Sequence, residues 1–332
     1  MTVWHVVMNL DEASGVVTFA CRLHESLQAG GIASRILSES DPLPSAIGAD
    51  VVHIHGVWRP YFHQVALLAR RQGVPVVWSP HGMLAPWALR HKRWKKRLAW
   101  WLYQRADLRT AGMIHVTSEQ ERQWVEGLRL GVPTVLAPLG TMLPGAVSEG
   151  AETKRLLFVG RLHPVKAIDL LVEALARVPE TVRAGWTLRV VGPEEDADYA
   201  ARLKRLAGEL GVPVDFAGPK YGADLDSEYA SCTALCLVSH TENFGATVVD
   251  ALAHGKLVVT GTKTPWREVA DRGCGWWTDN EPDRLSVTLG DLMRLSESAR
   301  KEMGMRGRRL VEEKYTWGAV ARTLARVYQE VK

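Results

Sequence analysis

The sequence predicts an α/β protein with two doubly wound domains, each built on a parallel sheet. Short apolar runs rich in β-branched residues alternate with helical patterns along most of the chain, as in βαβ units. The alternation forms two series, which are separated by the Gly-, Pro- and Ser-containing segment 138–153. A chain of 332 residues is long enough for two domains with separate cores. We therefore place the two domains at residues 1–145 and 153–315.

Each series supplies the strands of one predicted sheet. Doubly wound sheets bind ligands at the carboxyl ends of their strands, so we expect the site in a cleft between the domains. Residues 316–332 are predicted to form a last helix with one apolar face. The predicted strands are Val3–Asn9, Ala33–Leu37, Val51–His55, Val74–Trp78, Met113–Thr117 and Thr134–Ala137 in the first series, and Leu156–Gly160, Thr187–Gly192, Val214–Gly218, Ala234–Val238 and Leu257–Gly261 in the second.

Composition narrows the class of protein. Apolar residues make up 46% of the chain and charged residues 23%, which is ordinary for a globular domain. No run approaches the roughly 18–20 apolar residues that a spanning helix needs, and no signal peptide is apparent. The four cysteines form no CxxC pair, and we expect them to be reduced. These features favour a cytoplasmic protein.

A basic, tryptophan-rich segment lies between Arg90 and Arg105, with seven Lys/Arg and no acidic residue. Its apolar members recur at helical spacing. Such a helix suits an anionic membrane surface; the alternative is a helix packed on its own domain with a solvated basic face. Nucleic acid is a poorer partner, because no binding motif accompanies the segment. The residues assigned to a membrane or acceptor surface are Lys92, Arg93, Trp94, Lys95, Lys96, Arg97 and Trp101.

Residues 239–255 are the most informative segment. They follow an apolar strand and open an apolar helix that ends at Gly255, with Glu242 ahead of the helix and Asp250 eight positions later. Backbone N–H groups at a helix N-terminus bind anions. The segment therefore fits a phosphate that carries hydroxyl-rich groups, such as a nucleotide sugar. Eight helical residues rise roughly 12 Å, which is too wide for the two carboxylates of a glycosidase.

Two cations follow the first strand of the second series. Arg161 and Lys166 come directly after Gly160, where they can neutralise a diphosphate. When a nucleoside diphosphate leaves a sugar, negative charge develops on the phosphate, and fixed cations stabilise that transition state. In the first series, His81 follows predicted strand 74–78 and precedes Gly82, which places it as a contact to the donor or acceptor sugar.

A metal-dependent transferase would carry a D-x-D string at the end of a strand. Two such strings occur, at residues 196–198 and 224–226, but both lie in polar or helical surroundings. We expect no metal ion and no other cofactor. The chain also lacks the Walker, GxGxxG, HExxH and GxSxG motifs, which disfavours kinases, dehydrogenases, zinc proteases and serine hydrolases.

Together these motifs resemble the retaining glycosyltransferases of family 4, whose GT-B fold has two Rossmann-like domains that face a central cleft. Residues 242–250 resemble the family's E-x7-E signature, with Asp in the second position. Residues 160–166 resemble its donor-phosphate segment, although Ala167 replaces the usual Gly. Residues 79–87, 264–268 and 275–277 resemble members that build bacterial surface polysaccharides.

The resemblance implies roles for individual residues. Glu242 would lie near the donor sugar, Asp250 would hold the ribose hydroxyls, and the last helix would cross back to the first domain. The predicted catalytic residues are Glu242, His81, Arg161 and Lys166. The predicted donor-binding residues are Gly15, Arg161, Lys166, Lys220, Glu242, Asn243, Phe244, Gly245, Ala246 and Asp250.

The implied activity is a metal-independent, retaining transfer of a sugar from a UDP- or GDP-sugar to a carbohydrate acceptor. By resemblance, this acceptor is a glycan linked to a lipid such as polyprenyl diphosphate, in exopolysaccharide, O-antigen or lipopolysaccharide assembly at the inner membrane face. Two alternatives stay open. One is a nucleotide-sugar epimerase of GT-B architecture, and the other is a non-catalytic membrane-surface module of a polysaccharide assembly.

Overall fold

The computed structural model describes residues 1–10, 15–90, 93–145 and 153–332. Its backbone contacts separate into two compact units, residues 1–140 with 316–332 and residues 141–315. Each unit contains one six-stranded sheet in which every strand pair is parallel. These two sheets confirm the predicted α/β class with doubly wound topology. None of the helices in the described ranges is long and apolar enough to cross a bilayer.

The sheet of the first unit has the strand order β2-β1-β3-β4-β5-β6. The last helix, α15, packs against α1 in this unit, and its buried face meets Phe19 and Leu23. The elements are β1 (Thr2–Val7), α1 (Gly15–Ala29), β2 (Ala33–Ser38), β3 (Val51–His55), α2 (Pro60–Arg71), β4 (Val76–Ser79), α3 (Pro86–Arg90), α4 (Arg93–Ala99), a π-helical turn (Trp100–Gln104), α5 (Arg105–Arg109), β5 (Met113–Val116), α6 (Glu119–Gly127), β6 (Thr134–Leu136) and α15 (Trp317–Val331).

The sheet of the second unit has the order β12-β11-β10-β7-β8-β9. Its core lies between this sheet and helices that include α7, α9 and α13. The elements are β7 (Arg155–Val159), a 3₁₀ turn (Pro164–Lys166), α7 (Ile168–Arg177), α8 (Glu180–Arg183), β8 (Thr187–Val191), α9 (Ala197–Glu209), β9 (Val214–Gly218), α10 (Gly222–Ser231), β10 (Ala234–Leu237), α11 (Ala246–Ala253), β11 (Leu257–Gly261), α12 (Glu268–Asp271), β12 (Gly275–Thr278), α13 (Pro282–Arg294), α14 (Glu297–Leu310) and a π-helical turn (Val311–Tyr315).

The sequence missed one strand, β12, which pairs with β11 at the edge of the second sheet. It is four residues long and half-exposed over three of them. A short edge strand of this kind carries neither the continuous apolar run of a central parallel strand nor a clear alternation, so periodicity gives it no signal. The other eleven strands fall within two residues of their predicted bounds, which is the usual uncertainty at element ends.

Candidate active site

The second unit has its topological switch point between β7 and β10. The chain proceeds from β7 outward through β8 and β9, and then returns to lay β10 on the other side of β7. Ligands of doubly wound sheets bind outside the carboxyl ends of the strands at such a point. The loop after β7 carries Arg161 and Lys166, and the loop after β10 carries Glu242. The topology therefore brings the predicted diphosphate cations and the predicted acid to one place.

An ion pair joins the two loops at this point. The Lys166 Nζ donates to the Glu242 carboxylate at 2.7 Å, and both side chains are only 16% exposed. The backbone adds a second link, because the N–H of His240 donates to the carbonyl of Val165 at 2.9 Å. Partial burial strengthens this pair relative to a surface pair. The second unit therefore holds Lys166 and Glu242 in fixed positions relative to each other at its switch point.

Arg161 lies in the same loop but has a different partner. Its guanidinium pairs with the carboxylate of Glu195, and it is more exposed than Lys166, at 56%. Glu195 follows the end of β8 and was not selected from the sequence, since no motif marks it. Exposed pairs of this kind contribute little to stability, so an anion can exchange for Glu195 at little cost.

The start of α11 is built around Gly245. This residue is the N-cap and has φ = 81°, a left-handed conformation that favours glycine. A Cβ at this position would lie 2.7 Å from the Cδ2 atom of Leu237, so the space is closed as well. The preceding Phe244 is buried and its carbonyl accepts a hydrogen bond from the Trp266 indole. Asn243 and Ala246 flank this turn.

Asp250 lies within α11 and is half-buried. Burial raises the pKa of its carboxyl to about 6, while the hydrogen bond from the Thr141 hydroxyl opposes that shift and the charge of Asp226 adds to it. Thr141 Oγ1 donates to Asp250 Oδ1 at 2.6 Å. Thr141 is a site residue that sequence reasoning missed, because it lies 109 positions away in the chain.

Two further predicted donor residues belong to other elements of the chain. Lys220 is half-buried and follows β9, an edge strand that β8 separates from the switch point. Gly15 is the first residue of α1 in the other unit and is exposed. Ala167, the position at which the resemblance implies Gly, has φ = 52° and is fully buried. A left-handed conformation explains why glycine suits this position.

In the first unit, polar side chains follow one another across the sheet beneath the carboxyl ends of its strands. His5 lies in β1, His53 and His55 in β3, and His115 in β5, and all four are fully buried. Because successive strand residues point to opposite faces, His53 and His55 share the face that packs towards α1 and α15. Burial lowers the pKa of each of these histidines, to about 3 for His5 and about 4 for His115.

One hydrogen-bonded chain in this cluster has a single possible direction. The Nε2 of His115 lies 2.7 Å from the Ala137 carbonyl, which only accepts, so Nε2 carries the proton. With the ring neutral, its Nδ1 accepts from the Ser79 hydroxyl at 2.5 Å. Ser79 has then used its hydrogen, so it accepts from His53 Nε2 at 2.6 Å. His53 Nδ1 therefore accepts from the Tyr328 hydroxyl of α15 at 2.6 Å.

His81 lies at the end of β4, beside this chain. It has φ = 51°, and its Nε2 lies 3.1 Å from Nδ1 of the buried His55. The next residue, Gly82, donates its N–H to the carboxylate of Glu121, which also accepts from Thr117. Glu121 is buried, which raises its pKa. The Ser-x-x-Glu spacing of residues 118–121 is a helix-capping signal, so the sequence contained a marker for this anchor.

The basic, tryptophan-rich segment presents its apolar stripe to solvent. Trp94, Leu98, Trp101 and Leu102 are 54–72% exposed, and α4 buries no residue. Arg93, Lys95 and Arg97 are exposed on the same short helix. Lys96 instead donates to the carbonyl of Ala88 at 2.6 Å. Lys92 lies outside the described residues.

A cavity of about 550 Å³ adjoins this segment within the first unit. Trp58 and Leu84 line it, and they follow His55 and His81 by three positions each. The cavity therefore lies next to the carboxyl ends of β3 and β4. No acidic side chain contributes to its lining among the described residues, whereas four cations do: Arg93, Lys96, Arg97 and Arg105.

A doubly wound sheet with an anchored cation–carboxylate pair and a helix N-terminus at its switch point is typical of proteins that bind a phosphorylated ligand. Comparison with known families makes this class specific. Residues 125–310 match the family described as glycosyl transferases group 1, and residues 18–140 match a glycosyl transferase 4-like domain. The chain belongs to the glycosyl transferases group 1 family, has the GT-B fold and is a glycosyltransferase.

Individual relatives agree with this assignment. The chain is 31% identical over 306 residues to a D-inositol 3-phosphate glycosyltransferase of Frankia alni, which covers 84% of this chain and 74% of the relative. It is 29% identical over 174 residues to a lipopolysaccharide 1,2-N-acetylglucosaminetransferase of Salmonella typhimurium, covering 50% of this chain and 45% of the relative. The HepE protein of Anabaena, solved in complex with UDP, has the same fold, with a TM-score of 0.77 at 17% identity over 99% of this chain and 100% of HepE.

Proposed function

We propose that this glycosyltransferase moves a sugar from a nucleoside-diphosphate sugar to a glycan acceptor, with retention of configuration and without a metal ion. The observation that carries the proposal is the Lys166–Glu242 pair at 2.7 Å, at the switch point and three residues ahead of the Gly245 cap. This arrangement offers a cation and backbone N–H groups to a diphosphate and a carboxylate to hydroxyl groups.

In the proposed reaction, the bond between the sugar C1 and the diphosphate oxygen breaks while the acceptor oxygen bonds to C1 on the same face. The acceptor proton passes to an oxygen of the leaving diphosphate. Lys166 and Arg161 exchange Glu242 and Glu195 for the diphosphate when the donor binds. They stabilise the transition state more than the bound donor, because the negative charge on the diphosphate grows as the bond to C1 breaks. Glu242, once released, accepts hydrogen bonds from the sugar hydroxyls, and Asp250 accepts those of the ribose.

A metal ion has no evident place among the D-x-D strings. Asp196 is the N-cap of α9, where its side chain accepts the N–H of Tyr199. Asp198 and Asp224 lie in the first turns of α9 and α10, where acidic residues stabilise the helix dipole. These helix roles account for three of the four acids, and the fourth, Asp226, is exposed and lies 3.9 Å from His254. Charge neutralisation is therefore assigned to Lys166 and Arg161.

The donor is proposed to be a UDP-sugar or a GDP-sugar. The HepE protein, which shares the fold, was solved with UDP and with UDP-glucose, which supports the uridine nucleotide. The proposed acceptor is a lipid-linked glycan, such as one carried on polyprenyl diphosphate. The Salmonella relative is named a lipopolysaccharide 1,2-N-acetylglucosaminetransferase, and the fold neighbour WaaG, with a TM-score of 0.64, is involved in lipopolysaccharide biosynthesis. The Frankia relative favours a second candidate, a phosphorylated polyol acceptor.

The exposed stripe of α4 and the following π-helical turn supports membrane association in this proposal. Exposed Trp and Leu side chains beside exposed Arg and Lys are suited to the interface of an anionic leaflet. The cation-lined cavity, which reaches Trp58 and Leu84, is suited to the phosphate of an acceptor. The cytoplasmic location and the attachment to the inner membrane face stay predictions.

Calorimetric titration with UDP, GDP, ADP and dTDP, in the presence of EDTA, tests the donor site. We expect one nucleotide to bind with micromolar affinity. Lys166→Met should weaken it by about 10- to 100-fold, because it removes a charge-assisted hydrogen bond. Lys204→Met is the matched control, since Lys204 pairs with Glu194 on an exposed surface of the same unit. Loss of binding on chelation, or equal binding by wild type and Lys166→Met, would refute the proposal.

Product analysis separates the remaining classes. Incubation of the protein with a glycan acceptor and a sugar derivative of the nucleotide that binds should give a new glycoside. NMR then compares the anomeric configuration of this glycoside with that of the donor. A free epimerised nucleotide sugar without a glycoside would identify an epimerase. If Glu242→Gln leaves in vivo polysaccharide assembly intact, the chain acts as a non-catalytic module.

Binding to vesicles tests the membrane part separately. The triple variant with Gln at 93, 95 and 97 should lose most of its affinity for phosphatidylglycerol vesicles, since each cation near an anionic surface contributes about 1 kcal/mol. The charge-matched control replaces three exposed arginines of the same unit, Arg22, Arg109 and Arg326, with Gln. Equal loss in the two triples would indicate a net-charge effect, and no loss in either would refute this surface.

A further inference from the structure

A second histidine chain in the first unit leads from the interior to His81. His5 Nδ1 lies 3.0 Å from His55 Nε2, and His55 Nδ1 lies 3.1 Å from His81 Nε2. Each contact joins two ring nitrogens, so in each contact one nitrogen must carry a proton and the other must not. The three rings therefore have only two arrangements in which every ring is neutral and both hydrogen bonds form.

The two arrangements differ at the ends of the chain. In one, protons lie on His81 Nε2, His55 Nε2 and His5 Nε2. In the other, they lie on His5 Nδ1, His55 Nδ1 and His81 Nδ1. The Nε2 of His5 is buried and has no hydrogen-bond partner among the described residues. The first arrangement therefore leaves a buried N–H without an acceptor, whereas the second leaves only a lone pair without a donor.

A buried N–H without an acceptor is rarer in proteins than an acceptor with an unused lone pair. The outer end of the chain does not reverse this preference. His81 is half-buried and not closed off from solvent, so water or substrate can pair with either form of its Nδ1. The second arrangement is therefore favoured, and it directs an N–H bond outward from His81.

We infer that His5 and His55 are positioning residues that fix the proton of His81 on Nδ1, so that His81 presents a neutral N–H donor to a substrate oxygen. This inference rests on the proposed function for the identity of that oxygen, a sugar hydroxyl or a phosphate oxygen. The tautomer itself does not depend on it.

The surroundings of His81 are consistent with a neutral donor. Burial lowers the pKa of His81 to about 3, and the charge of His115 acts in the same direction, so the ring is uncharged at neutral pH. Phe19 packs edge-on against His81 at 5.0 Å between ring centroids, which limits rotation of the imidazole. A neutral N–H donor with a fixed direction selects a substrate oxygen by the position of that oxygen and not by its charge.

A metal ion is the competing occupant of the cluster. One nitrogen each from His5, His53 and His55 lie within 4.8 Å of one another. However, both nitrogens of His53 are used by Tyr328 and Ser79, and the only short contact between His5 and His55 is already a hydrogen bond. Metal binding would have to break both chains, so the hydrogen-bonded arrangement accounts for the cluster better.

Imidazole ¹⁵N NMR of the whole chain, labelled at histidine and treated with EDTA, reads the tautomer directly. The signals of His81 are assigned from their absence in His81→Gln. We expect the protonated-nitrogen shift at Nδ1 and the bare-nitrogen shift at Nε2 in the wild type. The opposite pattern would overturn the inference. A change in these shifts on addition of EDTA would also overturn it, because it would show that a metal ion had been bound to the imidazoles. This readout needs no substrate, so it can succeed where the proposed function fails.

Two variants of His5 then test the positioning role. His5→Asn retains an amide N–H at the place of Nδ1, so His81 should keep its tautomer and most of its activity. His5→Phe keeps a ring but no donor, so His81 should become a mixture of tautomers, and kcat/KM should fall by about 10-fold, as for loss of one hydrogen bond. If His5→Phe is folded and leaves the ¹⁵N shifts of His81 unchanged, His5 has no positioning role; if it does not fold, the wild-type spectrum and His5→Asn still decide.

Discussion

Replacing Asp250 with Asn should stabilise the folded protein at neutral pH and lower its affinity for the nucleotide. The Asp250 pKa is raised from 3.8 to about 6, first by burial. Between these two values the folded state binds more protons than the unfolded state, so stability falls as the pH rises through this window. A shift of about 2 pKa units corresponds to about 3 kcal/mol of destabilisation once the carboxylate is ionised in both states.

The Asn side chain is uncharged at every pH and can still accept the hydrogen bond from the Thr141 hydroxyl. The stability of Asp250→Asn relative to wild type should therefore increase with pH. The linkage relation puts the gain due to this carboxyl at about 1 kcal/mol at pH 4.5 and about 3 kcal/mol at pH 7.5. Urea titrations of both proteins at the two pH values measure the difference.

Thr141→Val serves as the control, because the Thr141 hydroxyl opposes the upward shift of the Asp250 pKa. Removal of this hydroxyl should therefore make the free energy of unfolding depend more strongly on pH. In the double variant with Asp250→Asn, the contribution of this carboxyl to the pH dependence should be absent. A stability gain for Asp250→Asn that is the same at both pH values would refute the argument from burial. Calorimetry on the same variant should show nucleotide affinity reduced by about 10-fold or more, since a carboxylate accepts more strongly than an amide.

Three further changes probe the scaffold. Gly245→Ala places a Cβ at φ = 81° and 2.7 Å from Leu237. It should destabilise the second unit by about 1–3 kcal/mol, measured by urea titration, and lower the turnover in a transfer assay. Unchanged stability and turnover would contradict the argument from backbone strain. Tyr328→Phe removes the only donor to His53 Nδ1 among the described residues and should cost about 1–3 kcal/mol, measured by urea titration, with the exposed Tyr221→Phe as the neutral control. Glu121→Ala should release the Gly82 N–H and speed its amide exchange, and protection equal to wild type would exclude this anchor.

The sequence predicted the architecture because parallel strands carry a strong local signal. Strands such as β3 and β10 are buried along their whole length, so they appear as short apolar or β-branched runs between helices. The placement of Lys166 and Glu242 at one edge then follows from topology alone, since carboxyl ends of parallel strands share an edge. Their direct contact did not follow, because it depends on the conformation of two loops.

The Trp-rich segment shows a different limit. Helical spacing predicted one apolar stripe, but spacing is the same whether a stripe packs on the domain or faces solvent. Only the structure shows Trp94 and Trp101 exposed, and what covers them in the cell is a question for the vesicle experiment. Similarly, the cavity beside Trp58 joins residues from α4 and from the segments that follow β3 and β4, which no local pattern connects.

The histidines of the first unit show why residue identity alone does not reveal a role. In His53-Ile54-His55 the alternation places two imidazoles on one buried face, and a buried polar side chain costs free energy unless it is hydrogen-bonded. The buried nitrogens of the cluster therefore pair with one another or with neighbouring oxygens, with His5 Nε2 as the exception among the described residues, and each bond fixes the proton of the next ring. The ends of each chain consequently decide which nitrogens carry protons. The Ala137 carbonyl decides this for the chain that begins at His115, and the unpaired, buried Nε2 of His5 decides it for the chain that ends at His81. A single substitution at a buried end can thus change whether Nδ1 of His81 meets the substrate as a donor or as an acceptor, although the substituted residue does not touch the substrate.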